Sequence, residues 1–567
     1  MLANWLSHKP NYVAVDWETE EFDWKEIFPH NAKPVGLSFC YEYDEHLYNE
    51  YVTDLEVADK LLNHWYKNRI KFVVFNSYFD IPRIEWRLGC RLSKDQWEDC
   101  YILSKLNDEN VQGGLKAVYA HLFSERVNSY KKVDRSNAVM FAEYAKKDSF
   151  MTKRIYDVFY YNVPELFEDS IYDLEKELQP IVVNMNAEGM DVNYNEFLKI
   201  QMGTEKEISQ LLSEFQAYFP YCNPNSTKQL TQYFNSRGIY SPIETKTGAQ
   251  SWGAQAIQEL IEHPEVTILA RYKKLAKFYS AFIEPLNERL HHSDIIYASF
   301  NPMGTVTGRF SCSNPNFQQI PAHGEAAKLK GCFIPKNGLQ FICGDLSQIE
   351  LRLLAHYSKD PNLIRAYTQG LDVHTETAKL MFDTEEPTKE QRFIAKTIGF
   401  SVVYGISPEG LMRRMKIFGY DYTLGECQNF INLYLSRFPK VESFILNVGN
   451  LMHQRYKSSG EAYIKTLFGR TRHFRQQGFA LPVNGRVRRQ AVNFVIQGTA
   501  ADIAKQMMIA LAKAGFNLVA VIHDCFIVEG IFTEEDVQRY KKVVEDCTPL
   551  GFSVPLIIEP VLTDRWV

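Results

Sequence analysis

The spacing of apolar and polar positions divides this 567-residue chain into stretches of different period. Tyr12-Val13-Ala14-Val15 and Lys71-Phe72-Val73-Val74-Phe75 are short apolar runs that predict strands, and helical periodicity follows through 80–105 and 135–160. Together they predict an α/β unit over 1–165. From 166 to 290 the pattern is mainly helical, with Asp173–Asn186 and Ala254–Asn287 separated by the turn-rich Cys222-Asn223-Pro224-Asn225-Ser226. That stretch predicts an elongated helical arm. Strands return at Ile295–Phe300, Leu339–Cys343 and Asn517–Ile522, with helix-rich sequence over 361–455 between the last two. The expected architecture is multidomain α/β and α+β: a mixed sheet built from 291–356 and 456–567, interrupted by a helical subdomain over 357–455.

Composition agrees with several domains, because single cores stop growing well below this length. With 45% hydrophobic and 23% charged residues the chain reads as soluble and globular, without long disorder. No apolar run approaches the ~18 residues of a membrane span. The first ten residues carry no basic, apolar leader, so the chain reads as mature from residue 1. Ten cysteines form no C-x-x-C pair, which argues against a zinc site or disulfide framework and fits a reducing cytoplasm. The net charge of −6 means that any nucleic-acid binding must come from local basic surface and bound metal.

Candidate chemistry lies in carboxylates set where apolar strands end. In Phe341-Ile342-Cys343-Gly344-Asp345-Leu346 a strand delivers Asp345 to its end before a helix begins. Leu518-Val519-Ala520-Val521-Ile522-His523-Asp524-Cys525-Phe526-Ile527-Val528 reads as a hairpin joined at Asp524. Taken singly, each aspartate serves equally as a turn residue or helix N-cap. Two such carboxylates brought together repel unless cations sit between them. Between these segments, steps of four put Arg392, Lys396, Phe400 and Tyr404 along one helix face, two cations followed by two aromatics. Cations suit a triphosphate and aromatics a base, while an amphipathic helix with a snorkelling lysine would show the same pattern.

Near the N-terminus, Asp16 and Glu18 share one face of a strand. Asp80 follows the second apolar run, and Tyr144 and Asp148 lie one helical turn apart. Two carboxylates on one strand face invite a metal, although D-x-E and Y-x-x-x-D are each short and common.

The three segments around Asp345, Arg392–Tyr404 and Asp524, in that order, resemble motifs A, B and C of the family A (bacterial polymerase I type) DNA polymerases. The resemblance extends over about 400 residues. It includes Thr307-Gly308-Arg309-Phe310-Ser311, Asn314-Pro315-Asn316-Phe317-Gln318-Gln319-Ile320-Pro321, Asp372-Val373-His374-Thr375-Glu376-Thr377-Ala378, Thr466-Leu467-Phe468-Gly469-Arg470 and Asn493 through Asp502. It implies a right-hand polymerase with thumb 166–290, palm 291–356 and 456–567, and fingers 357–455. Asp345 and Asp524 would ligate two Mg²⁺ ions (Mn²⁺ possible). Arg392, Lys396, His374 and Gln348 would meet the incoming dNTP's phosphates. Phe400 would pack on its base and sugar, Tyr404 would sit near the template base, and Glu350 would exclude a ribose hydroxyl. Arg309, Asn493 and Gln497 would read the primer–template minor groove, and Lys273, Lys274 and Lys277 would meet duplex phosphates.

The N-terminal carboxylates resemble a DEDD-type, RNase H-like 3′→5′ exonuclease of the tyrosine subclass over 1–165. Asp16, Glu18, Asp80 and Asp148 would be metal ligands, with Tyr144 orienting the water. The chain departs from the polymerase pattern at Cys525 (usually Glu), Leu346 (commonly Tyr) and Gly399 (commonly Asn), the last costing roughly 1 kcal/mol of helix propensity. Phe400 implies discrimination against dideoxynucleotides. A short thumb and a first strand at residue 12, with no 5′-nuclease domain before it, imply a bacteriophage-type replicative enzyme. Its partners would be primer–template DNA, dNTPs and replisome proteins such as helicase, primase and single-strand binding protein, in the host cytoplasm and away from membranes. The competing readings are a single-subunit RNA polymerase relative, against which Glu350 speaks, and a catalytically silent DNA-binding replication factor, against which the full ligand set speaks.

Overall fold

Alternation along Tyr12–Thr19 sets the first layer. Val13, Val15 and Trp17 face one core, while Ala14 faces another, and both sides of the strand are buried. This computed structural model describes all residues except 22–31, 112, 126, 128–133, 246, 322–324 and 477–478. The strand is central in a five-stranded sheet ordered His46–Val52, Pro34–Tyr43, Tyr12–Thr19, Lys71–Val74, Trp97–Asp99. The first two pairings are antiparallel and the last two parallel. The Ala138–Asn162 helix covers the Ala14 face, and Leu55–Lys67 the Val13 face. The helical period expected over 80–105 is broken: Ser77–Leu88 ends at Gly89 in the left-handed region, and Trp97–Asp99 forms an edge strand before the next helix.

The stretch from 166 onward corrects the expected arm. Its first helix, Ser170–Glu188, is buried on almost every side, from Ile171 and Tyr172 to Met185 and Asn186, so it is a central connector. Toward the N-terminal unit, Lys176 pairs with Glu98 at 3.0 Å, Tyr172 donates to Glu98 at 2.7 Å, and the Gln179 amide donates to the Ser77 carbonyl at 3.0 Å. Toward the C-terminal unit, Glu175 accepts from Arg470 at 2.6 Å and from Lys505, while Arg470 also pairs with Asp502 at 2.6 Å. These four groups are almost wholly buried, where an ion pair persists only if each charge is answered.

The arm itself starts later. Tyr194–Tyr218 packs along Pro264–Phe278, and a separate small core of Phe215, Phe219, Phe234, Trp252 and Leu269 forms its tip. The expected 254–287 helix is divided by Pro264 and by a π-helical turn at Tyr279–Ile283.

The second sheet is antiparallel throughout, ordered Asn517–Ile522, Cys525–Gly530, Gln340–Leu346, Ile558–Thr563. Gly344 is required in its central strand, since a Cβ there would lie 2.6 Å from the Tyr540 ring. The 29-residue Gly485–Lys513 helix packs against this sheet. Helices Val373–Phe382, Lys389–Val403, Pro408–Ile417 and Leu424–Arg437 form the inserted subdomain. Among the described residues no helix is long and apolar enough to cross a membrane.

Candidate functional site

Asp345 stands one residue before the end of Gln340–Leu346, and the His523-Asp524 turn closes the hairpin beside it, with His523 at φ +55. The Leu346 N–H donates to the Asp524 carbonyl at 3.0 Å, and Asp345 pairs across the sheet with Cys525. Both aspartates therefore emerge at one end of the sheet. Burial pushes Asp524 up to about 6, aided by Glu350 and Asp345 and opposed by Arg309. Asp345 is raised by burial and by Glu559, its partner on the other neighbouring strand. Carboxylates that burden one another in this way are a fitting oxygen-donor set for a hard divalent cation.

Besides the two aspartates, Arg309, Gln348, Glu350, Phe400 and Gln497 line a cleft of about 600 Å³. Glu350 is engaged from two sides: Arg309 ion-pairs with it, and the Tyr404 hydroxyl donates to it. The Gln497 amide lies 3.5 Å from the same hydroxyl, and Tyr367 donates to Gln348 at 3.0 Å. The Lys389–Val403 helix starts with a capping box between Thr388 and Gln391 and ends at Tyr404, so the expected face is present. Arg392 and Lys396 are exposed on it, and Phe400 meets the His374 ring at 5.6 Å. Burial, with Lys396 and Arg392 nearby, pushes His374 down to about 4 although Asp372 opposes, so it is neutral at pH 7. Asn493, one turn before Gln497, has a buried Oδ1 without a hydrogen-bond partner.

One expectation changes, and one residue is added. Lys273 is half-buried and its ammonium donates to the Trp252 carbonyl at 2.9 Å, so it is committed to the arm's own tip; Lys274 and Lys277 are exposed. Glu559, which sequence reasoning passed over, pairs directly with Asp345 on the side opposite Cys525.

The N-terminal unit assembles a second cluster. Ligand atoms of Asp16, Glu18 and Asp148 lie within 4.8 Å of one another, and Asp80 accepts the Trp17 N–H at 3.0 Å. Burial, with Asp148 nearby, pushes Glu18 up to about 7 against Arg135 and Lys116. Burial likewise raises Asp80 to about 7 and puts Asp16 well above the usual carboxylate range, with Asp80, Glu18 and Asp148 adding to the latter. The buried Oδ1 of Asp148 has no hydrogen-bond partner. This crowded, under-satisfied oxygen set fits divalent cations. Lys116, also passed over in the sequence, reaches the Tyr144 hydroxyl at 2.6 Å and Asp148 at 3.1 Å. One lysine at the start of the Leu115–Phe123 helix carries no pattern that marks it.

Comparison with known proteins follows this outline. The family described as DNA polymerase family A matches residues 195–567. A thermostable DNA polymerase I of Thermus aquaticus is 35% identical over 413 residues, 70% of this chain and 48% of that protein. A DNA polymerase I of Borreliella burgdorferi is 28% identical over 586 aligned positions, 97% of this chain and 61% of that protein. The chain thus spans about half the length of the Thermus relative. In fold it matches the POL domain of Pol1 from M. smegmatis, solved in complex with DNA primer-template and dNTP, with a TM-score of 0.82 at 22% identity over 100% of this chain and 98% of that one.

Proposed function

Because the chain belongs to DNA polymerase family A, we propose that it extends a primer 3′-hydroxyl with dNTPs on a DNA template, and that residues 1–165 remove mispaired 3′ ends as a 3′→5′ exonuclease. The observation that carries the reading is the pair of aspartates, Asp345 and Asp524, on adjoining strand ends at the floor of a cleft walled by Arg309, Glu350 and Phe400. The arm is the thumb, the antiparallel sheet the palm and the inserted helices the fingers. An arm without a large insertion among the described residues favours a streamlined, bacteriophage-type replicative enzyme.

Asp345 and Asp524 would hold divalent cations, as would Asp16, Glu18, Asp80 and Asp148, and such cations supply charge neutralisation and activation of the attacking oxygen. Arg392, Lys396 and His374 line the approach for a triphosphate, and the neutral imidazole donates a hydrogen bond without adding charge. Glu350, fixed by Arg309 and Tyr404, is held rigidly enough to act as a steric gate against a ribose 2′-hydroxyl. Phe400 offers its ring to the nucleotide. In the N-terminal unit, Lys116 and Asp148 orient the Tyr144 phenol toward the carboxylates.

The test is primer extension and mismatched-primer degradation by wild type beside Asp345→Ala and Asp16→Ala. Asp345→Ala should lose extension and keep degradation and duplex binding, and Asp16→Ala should do the reverse. Extension that survives Asp345→Ala refutes the polymerase mechanism; degradation that survives Asp16→Ala refutes the exonuclease.

A further inference from the structure

Asp372 is an acid placed where an anion is expected to bind, and its two oxygens have separate duties. Oδ1 caps the Val373–Phe382 helix, accepting the N–H groups of His374 at 2.9 Å and Thr375 at 3.3 Å. Oδ2 holds Arg392 of the neighbouring helix, receiving Nε at 2.9 Å and an outer guanidinium nitrogen at 2.6 Å. Thr375 Oγ1 closes the arrangement, donating to Asp372 Oδ2 at 3.1 Å and lying 3.2 Å from Arg392 Nε. A guanidinium has five N–H donors in a rigid planar fork. Gripping it along the Nε edge fixes the plane and leaves the opposite edge open, whereas an unheld arginine must lose rotamer freedom on binding.

Building on the reading of this cleft as a dNTP site, we propose that Asp372 is a positioning residue: it clamps Arg392 so that the free edge of the guanidinium is set to receive the phosphates of the incoming nucleoside triphosphate. His374, which follows on the same helix turn, faces Phe400 and shares the approach, so one helix start organises both groups. The negative charge of Asp372 is the reason the clamp must be answered by a cation: alone, it would repel the triphosphate.

The division of duties makes the idea testable without confusing it with folding. Asp372→Asn keeps an oxygen for the helix cap, at which Asn and Asp are equivalent, and replaces the acceptor facing Arg392 with an amide donor. Steady-state single-nucleotide incorporation on a primed template should show KM for dNTP raised about tenfold, the equivalent of about 1.4 kcal/mol, with kcat little changed. The Tm should stay at the wild-type value. In pyrophosphorolysis the KM for pyrophosphate should rise in parallel. In an Arg392→Ala background Asp372→Asn should carry no penalty and should lower the KM for dNTP relative to Arg392→Ala alone, because the clamp then has nothing to hold and an unanswered negative charge is removed. An unchanged KM in Asp372→Asn, or a penalty that persists in the Arg392→Ala background, overturns the clamp while leaving the polymerase reading intact. Wild type that incorporates no dNTP at all overturns that reading instead.

Discussion

The N-terminal carboxylates carry a prediction that runs against the usual acid sensitivity of proteins. Glu18 is buried beside Asp148, and its pKa stands at about 7 rather than 4.5. A folded-state pKa above the unfolded value means that the native state binds the proton more tightly, so stability falls as pH rises from about 4.5 through 7. For this one group the loss is about 3 kcal/mol across that window, at 1.36 kcal/mol per pH unit. Asp80, at about 7, and Asp16 act in the same direction, although coupling among them prevents simple addition. The perturbation is therefore Glu18→Gln with the cations removed by chelator. Scanning calorimetry between pH 5 and 8 should show the first unfolding transition of wild type dropping steadily with pH, and that of the variant dropping less. Contributions from groups elsewhere cancel in the difference, and the comparison is restricted to one transition because a chain of several domains does not unfold in a single step. Added Mg²⁺ should raise the wild-type transition more at pH 8 than at pH 5, since only ionised carboxylates bind it. Parallel pH profiles for the two proteins in chelator would refute the reasoning, as would Mg²⁺ stabilisation that is independent of pH.

Other substitutions probe the C-terminal unit. Phe400→Tyr should improve the ratio of dideoxy- to deoxynucleotide incorporation by roughly tenfold, the scale of one added hydrogen bond, in a gel-based termination assay. Gly344→Ala should destabilise by about 1–3 kcal/mol in denaturant unfolding, because its methyl would meet Tyr540 at 2.6 Å and Ile558 at 2.9 Å in a close-packed core. Glu175→Ala should cost about 3–5 kcal/mol by leaving Lys505 and Arg470 with an uncompensated buried charge. The Lys505→Met variant, which removes one of the two cations, should lose less when combined with it than the two single costs summed.

What the sequence made legible were the conflicts with local rules. Asp345 and Asp524 interrupt apolar strands, and Arg392 through Tyr404 repeat at a helical interval, so each stood out from its surroundings before any contact was known. The Asn517–Ile522 strand matches its expected limits because its apolar run is bounded by Gly515 and the His523-Asp524 turn. Residues whose roles arise from long-range pairing were not legible. Glu559 meets Asp345 through strand order, Lys116 meets Tyr144 across two helices, and Lys273 turns inward to a carbonyl twenty-one positions earlier. The strands Pro34–Tyr43 and His46–Val52 were missed because mixed aromatic and polar residues there follow neither period cleanly, and pairing with Tyr12–Thr19 decides them. The Ser170–Glu188 helix was read as part of an arm because its charged residues suggested a solvated face; Glu175 and Lys176 are instead buried, each against a counter-charge.

That helix also joins the two units that carry the carboxylate clusters. Lys176 and Glu175, adjacent in sequence, are anchored in opposite directions, one to Glu98 of the N-terminal unit and the other to Lys505 and Arg470 of the C-terminal one. Swivelling either unit about the other at this helix would pull a charge from a dry interior, so the two sets of ion pairs oppose a hinge at this joint. On the proposed function, a joint stiffened in this way leaves the choice between building and erasing to the nucleic acid, and the traffic between the two stations is then governed by how readily the last base pairs of the growing strand come apart.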